Sequence, residues 1–431
     1  MKQNISPTIT DNLETWLTYL EHGHFKTIDM GLERVKSVAE NLNLLNPAPY
    51  VITVAGTNGK GSTCRFLEVA LMKLGLKVGV YSSPHLLRYN ERVRINGQLL
   101  DDQAHIDSFT EIDQNKTASL TYFEFSTLSA LKLFKDAKLD VVILEVGLGG
   151  RLDATNIVDP RLAVITSIDI DHVAFLGNNR EDIGREKAGI FRANIPVIIG
   201  EPDCPQSILA IAQDLNAQKF QRNVDWQYEV KDGTFYWQSQ TTQFNTLPMP
   251  LIPIPNAGTA IATLLKTPFN VSEQVIRETL QEAQITGRFQ QLQAADFAHF
   301  SGQKPKAQVI IDVGHNPHAA RYLAERLQAV KKAKIFAIFS CLEDKELSGI
   351  VQPLREVIDE WHCVGLNCWR GQSGQAVFDK LVNVLSNATA CVYENVDAIA
   401  PILFKQAEEQ DIILVFGSFH TVADFVLFLE K

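Results

Sequence analysis

Cysteine is scarce in this sequence, and the few cysteines are scattered. Six occur among 431 residues, namely Cys64, Cys204, Cys341, Cys363, Cys368 and Cys391. The closest two, Cys363 and Cys368, have no second pair or histidine cluster that would complete a structural zinc site. We therefore expect reduced thiols and a cytoplasmic protein, because disulfides persist mainly in oxidising compartments.

Long hydrophobic runs and a surplus of basic residues are also missing. The most apolar stretches, residues 141–146 and 412–416, have the length of strands and are too short to cross a bilayer. The start of the chain contains no continuous apolar segment of the kind a secretory signal needs. Forty Lys and Arg against 50 Asp and Glu give a formal charge of -10, whereas nucleic-acid binding needs a basic surface. We expect a monomer that acts on small molecules, with no nucleic-acid or membrane partner.

The chain does contain ample apolar material in regular alternation. Hydrophobic residues make up 45% and charged residues 21%, as in globular proteins, and the length allows roughly two or three domains. Short β-branched runs alternate with amphipathic segments in the first half, over residues 50–55, 77–81, 140–146, 162–167 and 196–200. This alternation predicts an α/β fold in which a parallel sheet has helices on both faces.

A second α/β series begins near residue 308. Its strand-like runs span residues 309–313, 334–340, 391–394 and 412–416. The stretch 285–303 is rich in glutamine and lacks a long apolar pattern, so we place the junction there and predict domains over 1–286 and 287–431. A β-hairpin is predicted over 226–237, where aromatic residues alternate around Asp232 and Gly233.

The segment AGTNGKGS, residues 55–62, follows the first predicted strand and opens a helix. Such a loop offers backbone N–H groups and a helix N-terminus to phosphate oxygens, and Lys60 would reach the outer phosphates. The spacing departs from the standard phosphate-binding loop, since Gly61 separates Lys60 from Ser62. The alternative is a glycine-rich turn with a solvated lysine, which the position after a buried strand disfavours.

This loop variant resembles that of the ATP-dependent amide ligases of the Mur ligase superfamily. Further motifs in the same order resemble its bifunctional dihydrofolate synthase/folylpolyglutamate synthases: YSSPHL at 81–86, ERVR at 91–94, EVGLGGRLDATN at 145–156, EKAGI at 186–190, GRF at 287–289 and DVGHNPHA at 312–319. The resemblance implies a P-loop ATPase-like first domain that binds ATP and the pterin or folate. It also implies a smaller, Rossmann-like C-terminal glutamate-ligase domain.

The activity implied is an ATP-dependent addition of L-glutamate to dihydropteroate, and of further glutamates to reduced folates, through an acyl phosphate. A monofunctional folylpolyglutamate synthase stays open, and activity on dihydropteroate discriminates the two. A Mur ligase proper would need a UDP-sugar-binding domain before the loop, and we expect none because the loop begins at Gly56. A nonenzymatic nucleotide switch would bind ATP without forming an amide.

Three polar residues are predicted at strand ends along one sheet edge, where open parallel sheets bind ligands. Glu145 ends the strand at 140–146, Ser83 follows the strand at 77–81, and His172 follows the strand at 162–167. Taken singly, Ser83 is more often a cap or turn residue and His172 a structural histidine. For Glu145 the alternative is a capping or surface glutamate, which its position beside Val146 and a glycine run disfavours. The resemblance implies that together they hold Mg²⁺, as two ions, with ATP as co-substrate and His172 also in a catalytic role.

Lys187 looks by itself like a solvated helix lysine. The resemblance implies instead that it is carbamylated by CO₂ and catalytic, together with Lys60. The chemistry requires a neutral amine, and a nearby divalent cation would stabilise the product.

The resemblance also implies two sets of ligand contacts. For the nucleotide they are Thr57, Asn58, Gly59, Lys60, Asn256, Arg288 and Asp312. For the pterin they are His22, Gly23, His24 and Phe25, then Tyr122, Phe123, Glu124 and Phe125, then Leu152, Asp153 and Ala154. Without the resemblance, the first of these three groups is part of an amphipathic lead-in and the second is the apolar start of a helix.

Overall fold

The computed structural model describes residues 6–24, 26, 29 and 31–431. The chain divides into two compact units between Gln284 and Ile285. The boundary predicted after residue 286 falls close to this division. None of the helices in the described part of the chain combines the length and the apolar character that a membrane-spanning helix requires. All six cysteines are free thiols.

An eight-stranded sheet forms the centre of the first unit. Its strands are β1 (Tyr50–Ala55), β2 (Val78–Tyr81), β3 (Val93–Ile95), β4 (Gln98–Leu99), β5 (Val141–Glu145), β6 (Leu162–Ile165), β7 (Pro196–Ile199) and β8 (Gln218–Gln221). They lie in the order β4-β3-β2-β5-β1-β6-β7-β8. The strands from β2 to β8 in this order pair in parallel, as predicted, whereas β3 and β4 are antiparallel.

The antiparallel β3–β4 edge corrects the expectation of a wholly parallel sheet. Its turn is Asn96-Gly97, and both residues have positive φ, 49° and 75°. An Asn-Gly pair between two short runs is a strong signal for a tight hairpin, because both residues tolerate positive φ. The signal was therefore present in the sequence, but the strands are only three and two residues long.

Helices cover both faces of this sheet, which confirms the predicted layering. They are α1 (Leu13–Glu21), α2 (Glu33–Asn41), α3 (Lys60–Lys73), α4 (Asp102–Asn115), α5 (Tyr122–Ala137), α6 (Val173–Leu176), α7 (Arg180–Ala188), α8 (Gln206–Asp214), α9 (Ile254–Leu264) and α10 (Glu273–Glu282). Successive residues of β5 point to opposite faces. Val141 and Ile143 pack in the cluster that contains Phe66 of α3, and Leu144 packs in the cluster that contains Phe125 of α5.

The predicted hairpin is confirmed and belongs to a three-stranded antiparallel sheet. Its strands are β9 (Trp226–Lys231), β10 (Thr234–Ser239) and β11 (Gln243–Leu247). The rings of Trp226 and Trp237 stack with centroids 6.1 Å apart, and both are buried. Trp237 Nε1 donates to the Gly258 carbonyl of α9 at 3.0 Å. The hairpin therefore extends the core of the first unit.

A six-stranded sheet forms the centre of the second unit. Its strands are β12 (Gln290–Gln291), β13 (Gln308–Asp312), β14 (Ile335–Phe339), β15 (Glu360–Val364), β16 (Ala390–Tyr393) and β17 (Ile412–Phe416), and its helices are α11 (Pro317–Val330), α12 (Leu347–Val351), α13 (Gly374–Val384), α14 (Val396–Gln406) and α15 (Phe419–Leu429). The order is β12-β13-β17-β14-β15-β16, parallel except for β12. Strand β15 was not predicted, because Glu360 and His362 interrupt its apolar run.

Short 3-10 helices join some of these elements. Among the described residues they span Tyr89–Arg92, Ala154–Ile157, Ala294–Phe297 and Gln352–Leu354.

Candidate active site

The segment 56–59 turns the chain from β1 into α3, and glycine is required at both of its ends. Gly56 and Gly59 have φ of 149° and 87°. A Cβ at Gly56 would collide with Thr166 Oγ1, and one at Gly59 would collide with the side-chain amide of Asn256. The helix starts at Lys60, so its first N–H groups face the turn. This confirms the predicted strand–loop–helix and places Asn256 beside it.

Two lysines converge on one carbonyl of this loop. Lys60 Nζ donates to Gly56 O at 3.0 Å and to Thr57 O at 3.3 Å. Lys187 Nζ, from α7, donates to the same Gly56 O at 3.0 Å, and its side chain is buried. Burial, and then the positive charge of Lys60, lower the pKa of Lys187 to about 7. A substantial fraction of Lys187 is therefore a neutral amine at neutral pH.

Residues that follow β6 hold the 56–59 segment, called the nucleotide loop below, through hydrogen bonds. Thr57 N donates to Ser167 O at 2.8 Å, and Asn58 N donates to Ser167 Oγ at 3.1 Å. Thr166 Oγ1 donates to Asn58 O at 2.7 Å. Thr57 Oγ1 donates to Asp169 O at 3.0 Å and accepts from Asp169 N at 3.1 Å. Thr166 and Ser167 were not predicted, although two hydroxyls at the carboxyl end of a parallel strand were a readable signal.

Glu145 and Ser83 lie together at the carboxyl edge of the first sheet. Glu145 is the last residue of β5 and is buried. Ser83 N donates to Glu145 Oε2 at 3.3 Å. Next to them, the Glu91 carboxylate accepts the N–H groups of Leu86, Leu87 and Arg88 at 2.7 to 2.8 Å, which fixes the loop after Ser83.

A carboxylate and a hydroxyl are the hard oxygen donors that Mg²⁺ prefers. No group of three or more His, Cys, Asp or Glu side chains within residues 6–24, 26, 29 and 31–431 is placed to hold a metal ion. In nucleotide sites Mg²⁺ commonly takes one or two protein ligands and completes its shell with phosphate oxygens and water. His172 directly precedes α6, with φ 52° and an exposed side chain, and its N–H donates to Asp171 Oδ1 at 2.8 Å.

The first turn of α5 carries the predicted aromatic wall. The ring of Phe123 lies over the Gly147 backbone, and the Arg92 guanidinium lies 5.4 Å from the centroid of the Tyr122 ring. Phe125 points into the core, where its ring centroid is 5.7 Å from that of Phe109. Of the three aromatic residues, Tyr122 and Phe123 are thus the two that are only half-buried.

Two residues predicted to contact the pterin, Glu124 and Asp153, use their carboxylate oxygens for hydrogen bonds within the protein. Glu124 Oε2 accepts from Thr121 N at 2.7 Å in a capping box, and Glu124 Oε1 accepts from Arg34 at 2.9 Å. Asp153 Oδ2 accepts from the N–H groups of Gly147 and Leu148 at 3.0 and 2.9 Å. Burial raises the pKa of Asp153, although four hydrogen bonds oppose the shift. These contacts hold the start of α5 and the loop after β5 in place.

The other two residues of the predicted group 152–154 are also at least partly buried. Leu152 is half-buried and Ala154 is buried.

The segment 22–24 lies against the residues that precede α5. His24 Nδ1 is 2.9 Å from Ser119 Oγ, and its Nε2 is 3.3 Å from Asp29 Oδ2. A Cβ at Gly23 would lie 3.6 Å from Leu120 O, and His22 Nδ1 is 2.8 Å from Thr18 O. The structure therefore places this segment beside Ser119 and Leu120, which directly precede the second predicted pterin group. Phe25 lies outside the described residues.

In the second unit, Asp312 organises the turn that carries Arg288. Its Oδ2 accepts from Phe289 N and its Oδ1 from Gly314 N, both at 2.7 Å. Burial raises the pKa of Asp312, and the positive charge of Arg288 opposes the rise. The Arg288 guanidinium lies 5.5 Å from the centroid of the Phe419 ring. Asp312 and Arg288, both predicted to contact the nucleotide, thus belong to one cluster in the second unit.

Comparisons with known proteins agree with this architecture. The Mur ligase middle domain matches residues 54–249, and the Mur ligase, glutamate ligase domain matches residues 287–419. The chain belongs to the Mur ligase family. This confirms the resemblance drawn from the motifs.

Within the Mur ligase family, the chain is clearly similar to proteins named dihydrofolate synthase/folylpolyglutamate synthase. The dihydrofolate synthase/folylpolyglutamate synthase of Haemophilus influenzae is 55% identical over 99% of this chain and 100% of the relative. The protein of that name from Escherichia coli is 49% identical over 97% of this chain and 96% of the relative.

Solved structures agree. E. coli FolC in complex with DHPP and ADP has a TM-score of 0.92 at 48% identity, and covers 98% of each chain. A bifunctional folylpolyglutamate synthase/dihydrofolate synthase with Mn, AMPPNP and L-glutamate bound has a TM-score of 0.90 at 49% identity, and covers 99% of this chain and 100% of the other.

Proposed function

We propose that this Mur ligase adds L-glutamate to dihydropteroate to give dihydrofolate, and adds further glutamates to reduced folates, with ATP as co-substrate. It is an ATP-dependent carboxylate–amine ligase. The observation that carries this function is the 55% identity, over essentially the whole of both chains, to a relative named for both activities. The relatives with both names favour the bifunctional enzyme over the monofunctional alternative.

The loop geometry suits phosphoryl transfer from ATP to the substrate carboxylate. Lys60 uses two donors on Gly56 O and Thr57 O, and an ammonium has three, so one remains for a phosphate oxygen. The N-terminus of α3 adds backbone N–H groups and the positive end of its dipole. Both offset the repulsion between two anionic reactants and stabilise the transferring phosphoryl group. The acyl phosphate is then attacked by the amine of L-glutamate, and inorganic phosphate leaves.

Ser83, Glu145 and His172 are the residues that we assign to Mg²⁺, as two ions. The contact between Ser83 and the buried Glu145 supports this assignment, as does the Mn bound in a related structure at 49% identity. When bound, the cations supply positive charge to the phosphate oxygens. The protein's part is to hold the Glu145 carboxylate at the end of β5, where its Oε2 accepts a hydrogen bond from Ser83 N.

Lys187 is assigned a carbamate. Its amine would attack CO₂, forming an N–C bond and releasing a proton to solvent. Burial and the Lys60 charge support this, because they lower the pKa of Lys187 to about 7 and only the neutral amine is nucleophilic. The carbamate would place a negative charge beside the Lys60 ammonium, because both lysines contact Gly56 O.

The ligand contacts remain as the resemblance implies, with one refinement. Tyr122, Phe123 and the segment 22–25 are assigned to the pterin, since a flat ring suits aromatic walls. Glu124 and Asp153 are assigned positioning roles, because their oxygens accept hydrogen bonds within the protein. Asn256, Arg288 and Asp312 are assigned to the nucleotide. We also assign the enzyme to the cytoplasm as a monomer, which the six free thiols support for the compartment.

Product analysis tests this function. The purified chain is incubated with ATP, L-glutamate and either dihydropteroate or tetrahydrofolate, and the products are identified by mass. We expect dihydrofolate from the first acceptor and polyglutamates from the second, each with one phosphate released per glutamate added. Polyglutamates without dihydrofolate would establish the monofunctional alternative. If neither product forms, the proposal is overturned.

A further inference from the structure

A buried ion-pair cluster, formed by Glu68, Arg65 and Arg94, contacts the loop that carries Ser83 through Ser82. Glu68, on α3, has a fully buried side chain. Its Oε2 accepts from Arg65 at 2.9 Å and from Arg94 Nε at 3.1 Å, and its Oε1 lies 3.2 Å from Arg94 Nε. A buried ion pair is weak evidence for stability, because desolvation of the two charges offsets their attraction. The cluster therefore calls for another reason.

Arg94 makes a second set of contacts that Arg65 does not make. Its Nη1 donates to Ser82 Oγ at 3.3 Å and to the Glu91 carbonyl at 3.4 Å. Ser82 is the neighbour of Ser83, whose N–H donates to Glu145. Arg65 instead directs its Nε to the Gln284 carbonyl at 3.3 Å. Of the two arginines that pair with Glu68, Arg94 is thus the one that also contacts the loop that carries Ser83.

The same cluster also surrounds a buried thiol. Burial raises the pKa of Cys64 first, the charges of Glu145 and Glu68 raise it further, and those of Arg94 and Lys60 oppose the rise. Four charges from α3, β3 and β5 therefore act on a single side chain of α3. Arg94 Nη2 is buried and has no hydrogen-bond partner among the described residues, so these contacts leave both of its N–H donors unused.

Both ends of this chain of contacts matter for the proposed chemistry. Helix α3 begins at Lys60 and contains Glu68 two turns later. The Glu68 carboxylate and the Lys60 ammonium therefore belong to the same helix. We propose that Arg94, held by Glu68, is a positioning residue that sets the Ser82–Ser83 loop against Glu145 for a divalent cation. This deepens the proposed function and rests on its metal site.

Binding of Mn²⁺ alone to the intact protein tests the role of Arg94, with free Mn²⁺ measured by electron paramagnetic resonance. Arg94→Met should weaken Mn²⁺ binding about tenfold, as is usual when a residue that orients a metal ligand is lost. Arg65→Met is the matched control. It removes the other partner of Glu68 but no contact to the loop, and its Mn²⁺ affinity should stay within about twofold of wild type. Circular dichroism checks that both variants fold.

Equal weakening in the two variants, or unchanged binding in Arg94→Met, would overturn the inference. Ser82→Ala provides a second route that leaves every charge in place. It should weaken Mn²⁺ binding less than Arg94→Met does, and add little in the Arg94→Met background because the two share one contact. If Arg94→Met does not fold, wild-type affinity in Ser82→Ala overturns the inference. No Mn²⁺ binding to the wild type would instead overturn the metal site, and the inference with it, while the ligase assay stands separately.

Discussion

The nucleotide loop and the pterin region use their polar residues in opposite ways. At the loop, the protein satisfies the backbone with hydroxyls from Thr166 and Ser167 and leaves a donor of Lys60 for a ligand. In the pterin region, Glu124 and Asp153 direct their oxygens to the protein's own N–H groups. The proposed function therefore assigns the motif residues of the loop to the reactants, and Glu124 and Asp153 to positioning the segments around them. The contacts, rather than the motif, separate the two roles.

The comparison predicts its largest effect at Lys60. Lys60→Ala should lower the rate of ligation at least about a hundredfold, because a preorganised charge at the transferring phosphoryl group is lost. Lys73→Ala, at the other end of α3, is the matched control, since its ammonium pairs with Glu278 and Glu282 on the surface. Steady-state assays with both acceptors measure the effect, and near-normal turnover by Lys60→Ala would remove the loop from the site.

Lys187→Ala should also lose most activity, with partial rescue by added short carboxylic acids that replace the carbamate. Carbon-13 NMR after equilibration with labelled bicarbonate should show a carbamate resonance in the wild type and none in the variant. The pKa of about 7 means that uptake of CO₂ grows as the pH rises through 7. An unmodified Lys187 under these conditions would contradict the carbamate and leave the ligase function intact.

Glu124→Gln distinguishes a wall residue from a ligand. If Glu124 only caps α5 and pairs with Arg34, the variant should lose about 1 kcal/mol of stability, with kcat nearly unchanged and a modest rise in KM for dihydropteroate. Chemical denaturation and steady-state kinetics provide the two readouts. A large fall in kcat with unchanged stability would show instead that Glu124 touches the substrate, and the contrast between the regions would fail.

Ser167→Ala tests the support of the nucleotide loop. Loss of the Ser167 hydroxyl removes the side-chain contact to Asn58 but keeps the backbone contact to Thr57. We expect KM for ATP to rise about fivefold, which corresponds to about 1 kcal/mol for one hydrogen bond, with kcat little changed. Calorimetric titration with AMPPNP provides an independent value. Equal affinity in both proteins would mean that the loop holds its shape without this hydroxyl.

The last prediction concerns stability against pH in CO₂-free buffer. The pKa of Lys187 is about 7 when folded, against an ordinary value near 10.4 when unfolded, so the folded chain releases this proton first as the pH rises. Wild-type stability relative to Lys187→Met should therefore increase from pH 7 towards pH 10. Melting temperatures of the two proteins across this range test it, and a constant difference would contradict the lowered pKa.

Much of the fold followed from local pattern. Buried β-branched runs predicted most of the parallel strands, and aromatic alternation around Asp232 predicted the hairpin of β9 and β10. Strand β15 escaped because His362 and Glu360 break its apolar run, and its burial comes from packing against β14 and β16. The short β3–β4 hairpin escaped because five residues give little periodicity, although Asn96-Gly97 signalled its turn.

The sequence alone determined the strand–glycine loop–helix around Lys60, because backbone conformation there depends on which residues lack a side chain. Only the tertiary structure decided that Lys187, which lies 131 residues after Gly56, shares the Gly56 carbonyl with Lys60. It also decided that Ser167 holds the loop and that Glu124 and Asp153 turn inward. The physical reason is that parallel strands bring distant segments to one sheet edge, where burial and the nearest donor set each side chain's partner and its pKa.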